Sequence, residues 1–120
     1  CHWCKVMDEK TYQNKNVAEY ISSHFYASKI NAETKETISW KNIDYHYNTH
    51  YQVNDFTIFL TYGQPSFPST VIIPDENSTP VTIPGFMKPR EIEPILKYFG
   101  DGDYKTMTYP QFQKTFHASW

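Results

Sequence analysis

Apolar residues in this chain fall into short runs, and their spacing predicts helices and strands in mixed order. After Cys4, the stretch KVMDEKTY is rich in helix formers and breaks at QNKN. Asn16 then stands as an N-cap for VAEYISSHF, where Val17, Ile21 and Phe25 recur at i, i+4 and i+8 on one face. YASKIN reads as a short strand. Residues 34–52 are polar and Tyr-rich without a clean period, and they read as an irregular excursion.

The next run, VNDFTIFLTY, fits two templates. Val53, Phe56, Phe59 and Leu60 suit a helix, whereas Phe56, Ile58 and Leu60 suit a strand. The helix is preferred, because Asn54 or Asp55 can cap it and the stretch from Gly63 to Pro65 stops it. STVIIP and PVTIPG flank DENST and read as an antiparallel hairpin. KPREIEPILKYFG is a helix with Pro89 near its start, Gly100 at its end and Ile92, Ile95, Leu96 and Phe99 on its apolar face. Pro94 removes a backbone donor there and suits only the first turn. In TYPQFQKTFHASW, Thr108 and Gln111 make a capping-box pattern, and Phe112, Phe116 and Trp120 follow at i, i+4 and i+8. The order helix, strand, helix, hairpin, helix, helix makes the fold class α/β.

Composition narrows the function. A chain of 120 residues is long enough for one domain with a core. Ten Tyr, eight Phe and three Trp argue against disorder. A net charge of −2 leaves no basic field to hold nucleic acid. No apolar stretch approaches the roughly 20 residues needed to cross a bilayer.

Chemistry concentrates in CHWC, which carries both cysteines of the chain, Cys1 and Cys4. At a helix start, the first sulfur of a Cys-x-x-Cys lies beside unpaired backbone N–H groups, which lowers a thiol's pKa. The second lies one turn on, close enough to resolve a mixed disulfide. His2, when cationic, stabilises the thiolate, and Trp3 adds apolar cover. Two other readings compete. His46 and His50, four residues apart, would complete a Cys2His2 zinc site if their segment were helical. Alternatively, both cysteines are plain small hydrophobes. His24 and His117 read as surface residues, and Tyr45 to Tyr51 as core cover.

The second informative stretch is FPSTVIIPDENSTPVTIPGF. A proline directly before a β-rich run belongs at the strand's entrance, and a cis Phe67–Pro68 bond would be a deliberate feature there. Taken together, CHWCKVMDE and this stretch resemble the thioredoxin-fold family, with its Cys-x-x-Cys-Lys at the head of a helix and its cis-proline, strand, hairpin, strand, glycine segment. The resemblance is closest to bacterial envelope thioredoxin-like proteins of the thiol:disulfide interchange and cytochrome c biogenesis-related type. Those carry a helical insertion like VNDFTIFLTYGQ and an extra C-terminal helix like YKTMTYPQFQKTF.

The resemblance implies a single three-layer domain over residues 1–120 with a central mixed sheet. It makes Cys1 the nucleophile and Cys4 the resolving thiol, with His2 and Trp3 tuning the pair. Phe67 and Pro68 contact substrate, and Gly85 matches the glycine after the last strand. The implied redox group is the disulfide itself, with no metal or organic cofactor. Implied partners are protein thiols and disulfides with an upstream electron donor or acceptor, in a periplasmic or other extracytoplasmic compartment. The inner pair His-Trp and the large Phe67 depart from thioredoxin and leave redox direction open. The family's central strand would precede Cys1, so a longer parent chain is expected, with an N-terminal strand, an export signal and scope for a membrane anchor. The resemblance favours a thiol-disulfide oxidoreductase over a module that only holds a client or a metal.

Overall fold

The first helix begins at once. In a computed structural model that describes all residues 1–120, α1 spans His2–Met7 and runs directly into a π-helical turn over Asp8–Tyr12. The wider turn, with Gln13 N–H donating to the Asp8 carbonyl at 3.2 Å, is a local distortion of the kind found in helices near functional sites. It leaves Met7 and Thr11 buried together. Helix α2 spans Lys15–His24, and its cap is Asn14, whose side chain accepts from the N–H groups of Asn16 and Val17 at 3.0 and 3.2 Å. Asn16, the cap expected from sequence, is inside the helix. The Asx geometry sits two residues earlier because Asn14 already has the extended backbone that a cap needs.

The chain then divides between two compact units, Cys1–Ala27 with Phe86–Trp120, and Ser28–Gly85. The boundary passes through YASKIN, which forms no strand. Tyr26, Ser28, Lys29 and Ile30 are exposed and the segment has no ladder partner, so its local β-propensity finds nothing to pair with.

In the Ser28–Gly85 unit, β1 (Ile38–Trp40) and β2 (Ile43–Tyr45) form a hairpin, with Trp40 opposite Ile43. Its two linking residues, Lys41 and Asn42, both have positive φ, 51° and 64°, which is the I′ turn that matches strand twist. Strands β3 (Tyr47–Asn48) and β4 (Val53–Asn54) make a second ladder, closed by Asn48, whose side chain accepts from the N–H groups of His50 and Tyr51. The expected irregular excursion over 34–52 is therefore two small hairpins. Helix α3 spans Asp55–Leu60, as its caps predict. Trp40, Tyr45, Phe56 and Phe59 pack with ring centroids 5.0–6.1 Å apart.

Asn54 ties this unit together. Fully buried, it caps α3 by accepting from the Phe56 N–H at 2.9 Å, and its amide donates to the Thr34 and Glu36 carbonyls at 3.2 and 3.0 Å. Strands β5 (Ser69–Ile72) and β6 (Val81–Pro84) form the expected antiparallel hairpin in register Ser69 to Pro84.

Every ladder is antiparallel and two-stranded, so the central mixed sheet is not formed among these residues. Each pair is joined by a short turn, and such connections can only make antiparallel neighbours; a parallel pair needs a crossover.

In the other unit, α4 spans Pro89–Gly100 and α5 spans Tyr109–Thr115. Helix α4 runs through Pro94, which leaves the exposed Arg90 without its i+4 donor. Ile92, Leu96 and Tyr98 are buried with Val17, Met87 and Phe112 to make the core. Gly100 lets α4 end against Tyr20: an added Cβ would stand 2.7 Å from the ring. The Tyr20 hydroxyl donates to Asp101 at 2.5 Å. Burial pushes that hydroxyl well above the ordinary tyrosine range, and the Asp101 hydrogen bond pushes the same way. Helix α5 carries the full capping box of Thr108 and Gln111 but stops at Thr115. Phe116 and Trp120 therefore leave the helical face expected from their spacing, because the backbone turns extended at Phe116.

Asn54→Asp is expected to lower stability by about 1–3 kcal/mol. It keeps an acceptor for the α3 cap but turns a donor toward Thr34 and Glu36 into a second acceptor. Thermal or urea unfolding checks this, and an unchanged midpoint would contradict the role given to Asn54.

Candidate functional site

A six-residue helix leaves most of its backbone N–H groups without intrahelical partners, so its cap matters more than in a long helix. Here the cap is a sulfur. Cys1 sits at the N-cap of α1, and the Cys4 N–H donates to its Sγ at 3.3 Å. The Lys5 N–H donates to the Cys1 carbonyl at the same distance. Cys1 and Cys4 are joined as a disulfide with Cα atoms 5.3 Å apart. Cys1 is exposed and Cys4 half-buried.

The inner pair shapes the surround. The Trp3 ring is 55% exposed and lies 5.4 Å from the Phe86 ring, with His2 edge-on to it at 5.2 Å. Cys1 thus stands at the head of a helix whose first turn carries an aromatic surface. Behind it, the π-turn aims the Thr11 hydroxyl at the Met87 carbonyl, 2.5 Å away and fully buried. That bond ties the cysteine-bearing helix to the segment that leads into α4.

Chemically, the arrangement favours attack on one sulfur. When the disulfide opens, the Cys4 N–H that already points at Cys1 Sγ is placed to donate to a thiolate there, and hydrogen bonding to the charged form favours it. The half-buried Cys4, one turn away, is placed to close the ring again.

Four of the six residues predicted from sequence, Cys1, His2, Trp3 and Cys4, are gathered here. Phe67 and Pro68 belong to the other unit, at the entrance to β5. Their peptide bond is cis, Phe67 is 42% exposed, and the Pro68 carbonyl accepts from the Gly85 N–H at 2.8 Å. Gly85 has φ of +96°, a backbone conformation that L side chains rarely adopt.

Sequence reasoning missed Phe86 and Thr11. An aromatic directly after the glycine that ends a strand was a readable signal for Phe86. Thr11 had none, because a π-turn is invisible in residue spacing. The histidine pair does not form a ligand face. His46 Nδ1 bonds the Thr37 hydroxyl at 3.1 Å between β2 and β3, and His50 lies in a turn against Tyr51. No group of three or more His, Cys, Asp or Glu side chains is placed to hold a metal ion.

Comparison with known proteins agrees with the cysteine helix. The family model described as "Thioredox_DsbH: Protein of unknown function, DUF255" matches residues 1–99, a span that starts on Cys1 and ends in α4. The chain belongs to this family. It is therefore thioredoxin-like, and its two cysteines are spaced as Cys-x-x-Cys. Thioredoxin-like proteins typically need no cofactor. Human spermatogenesis-associated protein 20 is 32% identical over 38 residues, a stretch that is 32% of this chain and 5% of that protein. The chain thus matches only a small part of that relative's length. No solved structure matches.

In the reduced protein, substoichiometric iodoacetamide is expected to label Cys1 at least several-fold faster than Cys4, since only the first is exposed and faced by a backbone N–H donor. Peptide mass mapping reads the ratio. Equal labelling, or faster labelling of Cys4, would contradict the division of roles.

Proposed function

We propose that this protein is a thiol-disulfide oxidoreductase that exchanges disulfides with protein substrates through Cys1 and Cys4. The observation that carries this reading is the asymmetry of the pair: an exposed Cys1 at the cap of α1, and a half-buried Cys4 bonded to it. Membership of a thioredoxin-like family supports it.

The reaction balances on sulfur alone. A substrate thiolate attacks Cys1 Sγ, the Cys1–Cys4 bond breaks, and Cys4 leaves as a thiolate. A second substrate thiolate then displaces Cys1, so the substrate gains a disulfide and the protein holds two thiols. In reverse, the Cys1 thiolate attacks a substrate disulfide and Cys4 resolves the mixed species. A redox partner, donor or acceptor, resets the pair in either direction.

Phe67 and Pro68 are the proposed substrate contacts, and His2 and Trp3 the proposed tuning residues. The two units belong to one thioredoxin-like domain in this reading, supported by a family match that runs through both. The proposed compartment is extracytoplasmic, supported by the resemblance to envelope proteins and by the persistence of disulfides in oxidising surroundings.

The test is trapping. In the intact chain, Cys4→Ser is expected to accumulate a mixed disulfide between Cys1 and an oxidised peptide probe, visible on a non-reducing gel. Cys1→Ser is expected to trap at least about 100-fold less. Equal trapping by both variants, or none by either, would overturn the proposal, and none would move the reading to a module that holds a client without redox turnover.

A further inference from the structure

The C-terminal residues after α5 have no secondary structure, yet they are held by one side chain. Glu93, on α4, is fully buried. Its carboxylate accepts from the Lys97 ammonium at 2.6 Å, from the Ser119 N–H at 3.0 and 3.1 Å, from the Ser119 hydroxyl at 3.0 Å and from the Trp120 N–H at 3.1 Å. Two consecutive backbone donors therefore converge on one carboxylate, and a second charge completes the shell.

The remaining holds are aromatic. The Lys97 ammonium lies 5.0 Å from the Trp120 ring and 5.8 Å from the Phe116 ring, and Trp120 stands edge-on to Tyr20 at 5.7 Å. Trp120 also forms a wall of an open cleft with Asn14, Lys88, Pro89, Arg90 and Glu91.

We propose that residues 116–120 are a latch on α4 whose keeper is Glu93, and that neutralising this carboxylate releases the latch and removes the Trp120 wall from the cleft. The physical reason is the imbalance of the contacts. Four of the polar attachments of residues 116–120 end on Glu93, and the fifth, from the Lys97 ammonium to the Ser119 hydroxyl at 3.1 Å, comes from the cation that Glu93 itself holds, so losing the charge weakens the four at once. A buried carboxylate that keeps its charge needs those donors, because Lys97 alone does not satisfy both of its oxygens.

The charged group acting on Glu93 is Lys97, on its own helix. On α2, Tyr20 and His24 pair with Asp101, His24 stacks on Tyr20, and the Tyr20 ring meets the Trp120 ring. Asp103 acts on Tyr20. Burial alone would raise the Glu93 pKa, but the Lys97 ammonium and the Ser119 and Trp120 donors outweigh it and hold it below the usual carboxylate range. A lowered folded value means that the closed latch has its full stability above the ordinary glutamate pKa. That stability is lost as pH falls through the lowered value. The latch is closed at neutral pH and opens in acid.

The test is NMR on the full chain. At neutral pH the Ser119 and Trp120 amides are expected to be rigid, with order parameters of about 0.85, and in Glu93→Gln they are expected to fall below about 0.6 while Ile92 and Leu96 stay rigid. Ser119→Pro, which removes both Ser119 donors to Glu93 without touching the core, is expected to free the Trp120 amide in the same way, so a Glu93 variant that fails to fold leaves the test intact. In the wild-type chain, both amide resonances are expected to move together only below about pH 4.3, the ordinary glutamate value. Flexible Ser119 and Trp120 amides in the wild-type chain at neutral pH would overturn the proposal. Rigid Trp120 amides in the variants that fold, or independent titration of the two resonances, would do the same.

Discussion

Unpaired N–H groups at the starts of short helices are the constraint on which this structure rests. Three of the five α-helices have only six or seven residues, so the orphan donors of the first turn are a large share of each. Cys1 serves α1, Asn14 serves α2, Asn54 serves α3 and Thr108 serves α5, while the Glu91 carboxylate takes the Lys88 N–H ahead of α4. The caps also do more than end helices. Asn54 reaches the Thr34 and Glu36 carbonyls, so capping α3 and ordering the loop before β1 are one event.

The site follows from the same constraint. A sulfur is a weak acceptor when it is a thiol or a disulfide and a stronger one as a thiolate, so capping with cysteine makes helix α1 sensitive to redox state. The Cys4 N–H is a partner for Cys1 Sγ in either state, and the helix contributes its positive end. Trp3 and Phe86 supply an aromatic surface beside the exposed Cys1, and Thr11 fixes the helix to the Met87 carbonyl.

Much of this was legible in the sequence. The STVIIP and PVTIPG hairpin, α4 with its terminal glycine and the Thr108–Gln111 capping box all carry local signals that tertiary context did not override. The thioredoxin-like family was legible too, and it is shown by the match over residues 1–99. What failed did so for identifiable reasons. The Trp40–Ile43 hairpin turns through Lys41 and Asn42 in a left-handed conformation, and only the asparagine hints at it. The YASKIN segment has β-propensity without a partner strand. The helical spacing of Phe116 and Trp120 misled because Ser119 and Trp120 donate to Glu93 instead of continuing α5. A buried glutamate inside an apolar helix face is the sequence feature that would have warned of it.

The central claim is that Cys1 and Cys4 form a working redox pair. Equilibrating the intact chain against glutathione buffers of graded composition, followed by acid quenching and alkylation, tests it most directly. The account predicts full and reversible interconversion of disulfide and dithiol along a two-electron curve, in which a tenfold change in the equilibrium constant corresponds to about 30 mV. A pair that stays oxidised or reduced across the whole series, without exchanging with glutathione, would contradict it.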